Sequence, residues 1–246
     1  MINNDFFLSR ATVRRYSDKP ISDAEITGML EEASHAPNTG NMQWYSVVVT
    51  RSEEGKEALS PLHFNQPQVK GAQAILTFCV DLNRFEKWCR QNDAEPGYEN
   101  LQSLVAAMID CSLFAQQFCT IAEMRGIGTC YLGTTAYNAD KIAEVLALPK
   151  RVFPLISLSI GYPADTNKPS LRLPVDAIIH KEKYSEPTAA EINEWYRPLE
   201  EESAHFVDEN KKETLAQVFT DIRYPKASNE LFSKTLHDFL VKNKFL

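Results

Sequence analysis

The chain has 246 residues, of which 43% are hydrophobic and 24% charged, and its formal net charge is -7. A chain of this length and composition buries a sizeable core in one large domain or two small ones, which excludes an intrinsically disordered protein. The acidic balance argues against a nucleic-acid partner, because binding a phosphate backbone requires clustered lysine and arginine.

The sequence shows no targeting or membrane signal. No apolar run approaches the about 20 residues that a membrane-spanning helix needs, and the start MINNDFFLSR has neither a basic region nor a long apolar region. The five cysteines are an odd number without a C-x-x-C pair, which fits a reducing compartment. Cys111 and Cys119 could share a helix face, but no histidine stands near them to complete a metal site. We therefore expect a cytoplasmic protein with no metal centre and no membrane partner.

The first part of the chain predicts a helix followed by two strands. Ser22 and Glu25 form a capping box ahead of apolar residues at helical spacing, and the helix is expected to end near 36–37. Segments 44–51 and 74–81 are runs of β-branched or aromatic residues, which is typical of strands buried on both faces. A short helix is expected between them, around 53–60.

Residues 100–125 predict a long helix that is apolar around most of its circumference. Such a helix lies deep in a core or in an interface between subunits. Gly126 and Gly128 are expected to end it, before a short strand over 129–133. A capped helix follows, and then the most hydrophobic strand, over 152–163, with Pro154 near its start.

After residue 184 the sequence changes character. Thr188 and Glu191 form a second capping box, and amphipathic helices are predicted at about 188–202, 210–221 and 228–242. These three amphipathic helices are too few to cover their own apolar faces and form a domain alone. We therefore divide the chain into a body, residues 1–184, and a helical C-terminal extension, residues 185–246, packed on the body or on a partner subunit.

The segment SRATVRRYSDKP places Arg10, Thr12 and Arg14 at alternate positions. Side chains two apart share a face only in extended chain, so this spacing favours an extended segment. Two guanidiniums and a hydroxyl on one face suit a phosphate, because arginine gives forked, charge-assisted bonds to its oxygens. The structural alternative is surface charge, with the arginines near the carboxyl end of the first helix and in solvent.

Three further segments carry candidate polar groups. The loop HAPNTGNMQW, 35–44, lies between a helix and a strand, and its side chains could hydrogen-bond a heteroaromatic ring: Asn38, Thr39, Asn41 and Gln43. The alternative is a plain connection, since turns need such residues. Asn65 and Gln66 precede the second strand, and Lys168 and Arg172 lie in the segment NKPSLRLP.

Taken in chain order, these motifs resemble the nitroreductase family of FMN-dependent oxidoreductases. The set comprises R-x-[ST]-x-[RK], then P-x-x-x-N-x-Q before a strand, then Y-[LI]-G after a long apolar helix, then a late R-L-P. The length, the FCVD strand and GYPAD are similar to the NADPH-dependent branch, which includes oxygen-insensitive nitroreductases and flavin reductases. The resemblance covers residues 6–184 well and the tail loosely. It implies an α+β fold with a mixed, largely antiparallel sheet flanked by helices, whereas helix and strand alternation alone would suggest a doubly wound parallel sheet.

The resemblance also implies where FMN is held. The phosphate would lie among Arg10, Thr12, Arg14 and Arg172, with Ala11 at a position that is often basic in the family. The flavin ring and ribityl chain would be lined by Asn38, Thr39, Asn41, Gln43 and Gln66, and the loop 38–43 would come from the neighbouring subunit of a homodimer. The other side of the ring would meet Tyr131, Leu132, Gly133 and Thr134. Lys168 lies two positions further from the arginine than the family's usual lysine.

No nucleophile and base share a motif, and the five histidines are scattered, which supports a cofactor enzyme. The resemblance implies ping-pong hydride transfer from NAD(P)H through FMN to a small-molecule acceptor, a nitroaromatic, a quinone or free flavin. Lys211 and Lys212 favour NADPH, but Val207 and Asn229 stand where the branch has arginines and leave NADH open. Two alternatives stay open: other flavin chemistry on this fold, such as dehalogenation or flavin destruction, or a non-enzymatic binding or regulatory protein.

Overall fold

The computed structural model describes residues 4–246. These residues form two compact units, one of residues 4–167 with Phe232–Leu246 and one of Lys168–Leu231. We call them the first and the second unit. The predicted division at residue 184 stays a prediction.

The first unit is built on a four-stranded antiparallel sheet. The strands are β1 (Tyr45–Thr50), β2 (Ala74–Asp81), β3 (Gly128–Leu132) and β4 (Val152–Gly161), in the spatial order β1-β2-β4-β3. All three neighbouring pairs are antiparallel. The predicted α+β class is therefore confirmed. The sheet was predicted to be mixed and largely antiparallel, and these four strands form an antiparallel sheet.

Position in the sheet decides how far each strand is buried. Every residue of β2 is buried, as predicted, because β2 lies between two other strands. The same expectation is wrong for β1, whose Val49 is exposed, because β1 lies at the edge of the sheet. Pro154 pairs with Cys79 where the register of β2 and β4 shifts, at a position where the missing N–H of proline is tolerated.

Helices flank this sheet. They are α1 (Asn4–Leu8), α2 (Asp23–Ala33), α3 (Glu53–Leu59), α4 (Pro67–Gly71), α5 (Asn83–Gln91), α6 (Leu101–Met124) and α7 (Ala139–Val145). Short 3-10 turns cover Thr39–Asn41, Ser60–His63 and Gly133–Asn138. The capping box of α2 is present as predicted, with the Ser22 hydroxyl accepting from the Glu25 N–H and the Glu25 carboxylate accepting from the Ser22 N–H.

Helix α6 forms the centre of the core. Its inner face contributes Phe114 and Phe118, whose ring centroids lie 5.3 and 5.7 Å from that of Phe78 on β2. By length and composition α6 could also cross a membrane, so the expectation that no segment is long and apolar enough is wrong here. The core helix of a soluble protein passes the same test.

The second unit is helical. It contains a 3-10 turn at Val175–Ala177, then α8 (Ala189–Glu202), α9 (Ala204–Glu209), α10 (Leu215–Val218), a π-helical turn at Phe219–Arg223 and the start of α11 (Lys226–Lys242). The capping box at Thr188 is present. The single helix predicted over 210–221 is wrong, because the backbone is left-handed at Lys211 and a new helix begins at the N-cap Thr214.

Candidate active site

The N-terminal segment, residues 9–17, runs extended across the ends of β3 and β4. The Val13 N–H donates to the Thr129 carbonyl at 3.0 Å, and the Tyr16 hydroxyl donates to the Ser159 carbonyl at 2.9 Å. A Cβ on Gly128 would lie 2.5 Å from the Val13 side chain, so only glycine permits so close an approach. The predicted extended conformation is therefore observed, with Val13 buried and Arg14 exposed.

Arg10 is engaged within this unit. Its Nη2 lies 3.2 Å from the Glu123 carboxylate at the end of α6, and the same carboxylate accepts from the Thr129 hydroxyl at 2.6 Å. Burial lowers the pKa of Arg10, but the nearby Glu123 and Cys119 together more than offset burial, so that the pKa of Arg10 lies above its ordinary value. Arg10 thus fixes the N-terminal segment to α6.

Arg14 differs from its basic neighbours. Arg15 pairs with Asp165 at 3.0 Å, whereas Arg14 makes no ion pair with any residue from 4 to 246. The positive charge of Arg14 acts on Tyr16 and on Cys130, which places the guanidinium beside β3. Ala11 and Thr12 lie half-buried between the two arginines. Arg14 is therefore an exposed cation that is available to an anion.

Gln66 lies beside the same strand. Gln68 donates to the Gln66 side-chain oxygen at 2.6 Å, and the Gln68 amide also contacts Cys130 Sγ at 3.9 Å. Arg14 and Gln68 both lie next to Cys130, so the N-terminal segment and α4, whose N-cap residue is Gln66, both reach β3.

The turn after β3 completes this cluster. Tyr131 is half-buried, and burial raises the pKa of its hydroxyl well above the ordinary value, so that it stays protonated. Leu132 is buried, whereas Gly133 is exposed and a Cβ there would meet nothing within 4 Å. The Thr134 hydroxyl lies 2.8 Å from Nδ1 of the buried His63. Open space therefore borders the backbone at Gly133.

The loop 38–43 is anchored elsewhere. Both the N–H and the hydroxyl of Thr39 donate to the carboxylate of Asp110 on α6, at 2.9 to 3.0 Å. The remaining side-chain bonds of the loop stay within residues 36–43, and Arg84 donates to the Gln43 carbonyl at 2.6 Å. Asp110 and Glu123 are separated by about 20 Å along α6 at the α-helical rise of 1.5 Å per residue. Within one chain, the loop 38–43 and Arg10 therefore attach to distant parts of α6.

Left-handed backbone is found in both amide-bearing loops. Asn41 and Gln43 have φ of 56° and 52°, and Phe64 and Asn65 both have φ of 54°. Non-glycine residues in this region are uncommon and carry strain, which is often concentrated at ligand sites. The same backbone conformation also occurs at six residues outside these loops, so it does not by itself distinguish binding loops from plain connections.

The remaining candidates lie in the second unit. Lys168 and Arg172 are exposed, and the Arg172 guanidinium donates to the carbonyls of Ser170 and Leu171 at 3.0 Å. Lys212 pairs with Asp221 at 2.8 Å, and Val207 is buried in a small core with Leu215 and Val218. Participation of Lys168 and Arg172 in a phosphate site stays a prediction.

Two residues of this region were missed by sequence reasoning. Asp110 carried a signal, because it is the one charged residue between Leu101 and Ala122 and a buried aspartate requires partners. His63 carried none, since its partner Thr134 is 71 positions away.

The chain is similar to known proteins over most of its length. The model of the nitroreductase family matches residues 8–162. A crystal structure from Bacteroides fragilis, provisionally described as an oxidoreductase, is 48% identical, with a TM-score of 0.96 and coverage of 98% of this chain and 99% of that one. A Cr(VI) reductase from a Pseudomonas species is 31% identical and covers 96% of both chains. An FMN reductase (NADPH) from Bacillus subtilis is 32% identical and covers 72% of both. The chain therefore belongs to the nitroreductase family.

Proposed function

We propose that the protein is an FMN-dependent NAD(P)H oxidoreductase that works as a cytoplasmic homodimer. The observation that carries the proposal is the unpaired Arg14 guanidinium beside β3, next to the open turn at Gly133 that follows this strand. Family membership and the relative named as an FMN reductase agree with it.

The donors of this cluster fit FMN. Arg14 offers forked donors to a phosphate, with Thr12 one alternation away. Gln66 offers an amide that can both donate and accept, as the polar edge of a flavin ring requires. The open space at Gly133 lets a flat ring approach the backbone, and Thr134 adds a hydroxyl.

When bound, FMN would supply the chemistry of hydride transfer between NAD(P)H and a nitroaromatic, quinone or flavin acceptor, in ping-pong turnover. The residues of this chain bind and orient. Arg14 would neutralise phosphate charge, Gln66 and Thr134 would hydrogen-bond the cofactor, and the half-buried Tyr131 would pack beside it. No side chain needs to act as nucleophile or general base.

The homodimer is supported by an exposed apolar stripe on α6. Leu101, Val105, Ile109 and Leu113 recur every four residues on one side of this helix and are 41 to 63% exposed. A stripe of this kind on a core helix marks an interaction surface. The stripe adjoins Asp110, which anchors the loop 38–43. A two-fold partner packed on this stripe would bring its own loop 38–43 to the Arg14 cluster, which that loop does not reach within one chain.

The second unit supports the same assembly and the choice of donor. Ile192, Tyr196 and Phe219 are 41 to 47% exposed and line a groove of about 1160 Å³ in this unit. Apolar surface of this extent suits contact with a partner subunit. Lys211 is exposed and favours NADPH over NADH, whereas Lys212 is occupied by Asp221.

Steady-state assay of the purified protein tests the proposed function. We expect FMN-dependent oxidation of NADPH with a quinone acceptor, and a higher kcat/KM for NADPH than for NADH. A protein that oxidises neither donor when FMN is supplied would contradict the proposal. A clear preference for NADH would overturn the assignment of Lys211 but not the reaction.

A further inference from the structure

His63 connects two of the segments that the proposed FMN site uses. Its imidazole is fully buried, and Nδ1 lies 2.8 Å from the Thr134 hydroxyl. His63 closes the 3-10 turn Ser60–His63, directly before the left-handed residues that lead to Gln66. Thr134 follows Gly133 at the end of β3. One hydrogen bond thus joins the Gln66 segment to the turn 131–134.

Other contacts hold the same two turns together. The Asn138 side-chain amide donates to the Leu62 carbonyl at 2.7 Å. Phe232 stacks on Tyr137, with ring centroids 4.5 Å apart and an interplanar angle of 6°, and meets Phe64 edge-on at 6.2 Å. The bond between His63 and Thr134 is therefore one of several contacts that join the two turns.

The second ring nitrogen indicates the direction of this hydrogen bond. His63 Nε2 is buried and has no hydrogen-bond partner in the part of the chain that the structure describes. Burial lowers the pKa of His63 to about 4, so the ring is neutral at physiological pH and carries one proton. A buried N–H without a partner is rarer than an unpaired acceptor, which favours the proton on Nδ1. His63 then donates to Thr134 and leaves the proton of the Thr134 hydroxyl free.

We propose that His63 is a positioning residue of the FMN site, which holds Thr134 so that the Thr134 hydroxyl donates to bound FMN. His63 does not touch the cofactor itself in this scheme. Because His63 donates to the Thr134 oxygen, the hydroxyl proton of Thr134 stays free to bond to FMN. His63 also fixes the turn 131–134 against the Gln66 segment. The inference rests on the proposed function, because FMN is the ligand that Thr134 serves.

Equilibrium FMN binding, followed by quenching of flavin fluorescence, tests this role. His63→Phe and Thr134→Val should each raise the Kd about tenfold, as expected for the loss of one buried hydrogen bond. The double variant should bind no more weakly than Thr134→Val alone, because His63 acts on FMN only through the Thr134 hydroxyl, which Thr134→Val already removes. Thr134→Ser keeps the hydroxyl and should stay within about twofold of the wild type. The visible circular dichroism of bound FMN should change only in the variants that bind weakly.

Thr77→Val is the matched control. It breaks another buried hydroxyl pair of the first unit, with Ser157 at 3.0 Å, and should lower the Tm of the apoprotein without raising the FMN Kd. Additive losses in the double variant, or a His63→Phe protein with lowered Tm but wild-type Kd, would overturn the inference. If His63→Phe does not fold, equal affinity of Thr134→Val and Thr134→Ser overturns it. A wild-type chain that binds no FMN refutes the proposed function as well, whereas FMN binding unaffected by these variants refutes the role of His63 alone.

Discussion

Asp110, buried in the middle of α6, accepts hydrogen bonds from both the backbone N–H and the hydroxyl of Thr39. A carboxylate inside an apolar helix is costly unless its oxygens are paired, and here one residue of the loop 38–43 supplies both donors. The pair therefore fixes a loop whose Asn41 and Gln43 hold strained, left-handed backbone. Within this loop Asn41 is exposed and Gln43 is half-buried.

Asp110→Asn tests this anchor. The substitution preserves the volume but replaces charge-assisted hydrogen bonds by weaker ones, so we expect the free energy of unfolding to fall by about 1–3 kcal/mol and the FMN Kd to rise about tenfold. Thr39→Val removes only the hydroxyl bond and should have a smaller effect on both quantities. Urea unfolding and flavin fluorescence measure them. Wild-type stability and affinity in Asp110→Asn would show that the pair does not hold the loop.

Removal of Arg14 should weaken FMN binding without unfolding the protein. Arg14 is exposed and free of ion pairs among residues 4–246, so Arg14→Ala costs little stability. Loss of a charge-assisted bond to phosphate should raise the FMN Kd about 10- to 100-fold. Arg15→Ala, which removes an exposed pair with Asp165, is the matched control and should leave the Kd within about twofold. Equal effects of the two substitutions would indicate general surface charge, the structural alternative.

The stability of the protein should fall between pH 7 and pH 5 because of His63. Its folded-state pKa is lowered from 6.5 to about 4, so above pH 6.5 both states are neutral and His63 contributes nothing. As the pH falls below 6.5, the unfolded chain binds a proton that the folded chain does not, which costs about 2 kcal/mol by pH 5. In His63→Gln this part of the pH dependence should disappear. An unchanged slope in urea unfolding would mean that His63 is protonated in the folded protein.

The apolar stripe of α6 predicts a dimer whose disruption removes FMN binding. Ile109→Glu with Leu113→Glu places charges on residues that are 54 and 42% exposed in the single chain, so each chain should still fold. Light scattering should then report a monomer, and the FMN Kd should rise at least about tenfold because the partner loop is lost. Val145→Glu, at a 44% exposed position on α7, is the control and should stay dimeric. A monomeric wild type, or a monomeric variant with wild-type FMN affinity, would contradict this arrangement.

Local signals in the sequence predict elements well, and contacts between distant residues less well. The capping boxes at Ser22 and Thr188 are satisfied within four residues, so both helices begin where predicted. The burial of β1 depends on its place at the sheet edge, and the break near Lys211 depends on a left-handed backbone that no strong turn motif announced. The partners of Arg10 and His63 lie far along the chain, and only folding brings Glu123 and Thr134 to them. The candidate segments could therefore be predicted from the sequence. It could not be predicted that Arg10 forms an ion pair whereas Arg14, within residues 4–246, forms none.

Titration of the apoprotein with FMN and with riboflavin tests the central claim most directly. The two ligands share the ring and the ribityl chain and differ in the phosphate, which Arg14 is proposed to bind. We predict that about one FMN molecule binds per protomer. Its affinity should be at least tenfold higher than that of riboflavin, as one charge-assisted bond implies. We also predict that NADPH bleaches the yellow complex. No FMN binding, or equal affinity for the two ligands with no bleaching by NADPH or NADH, would contradict the account.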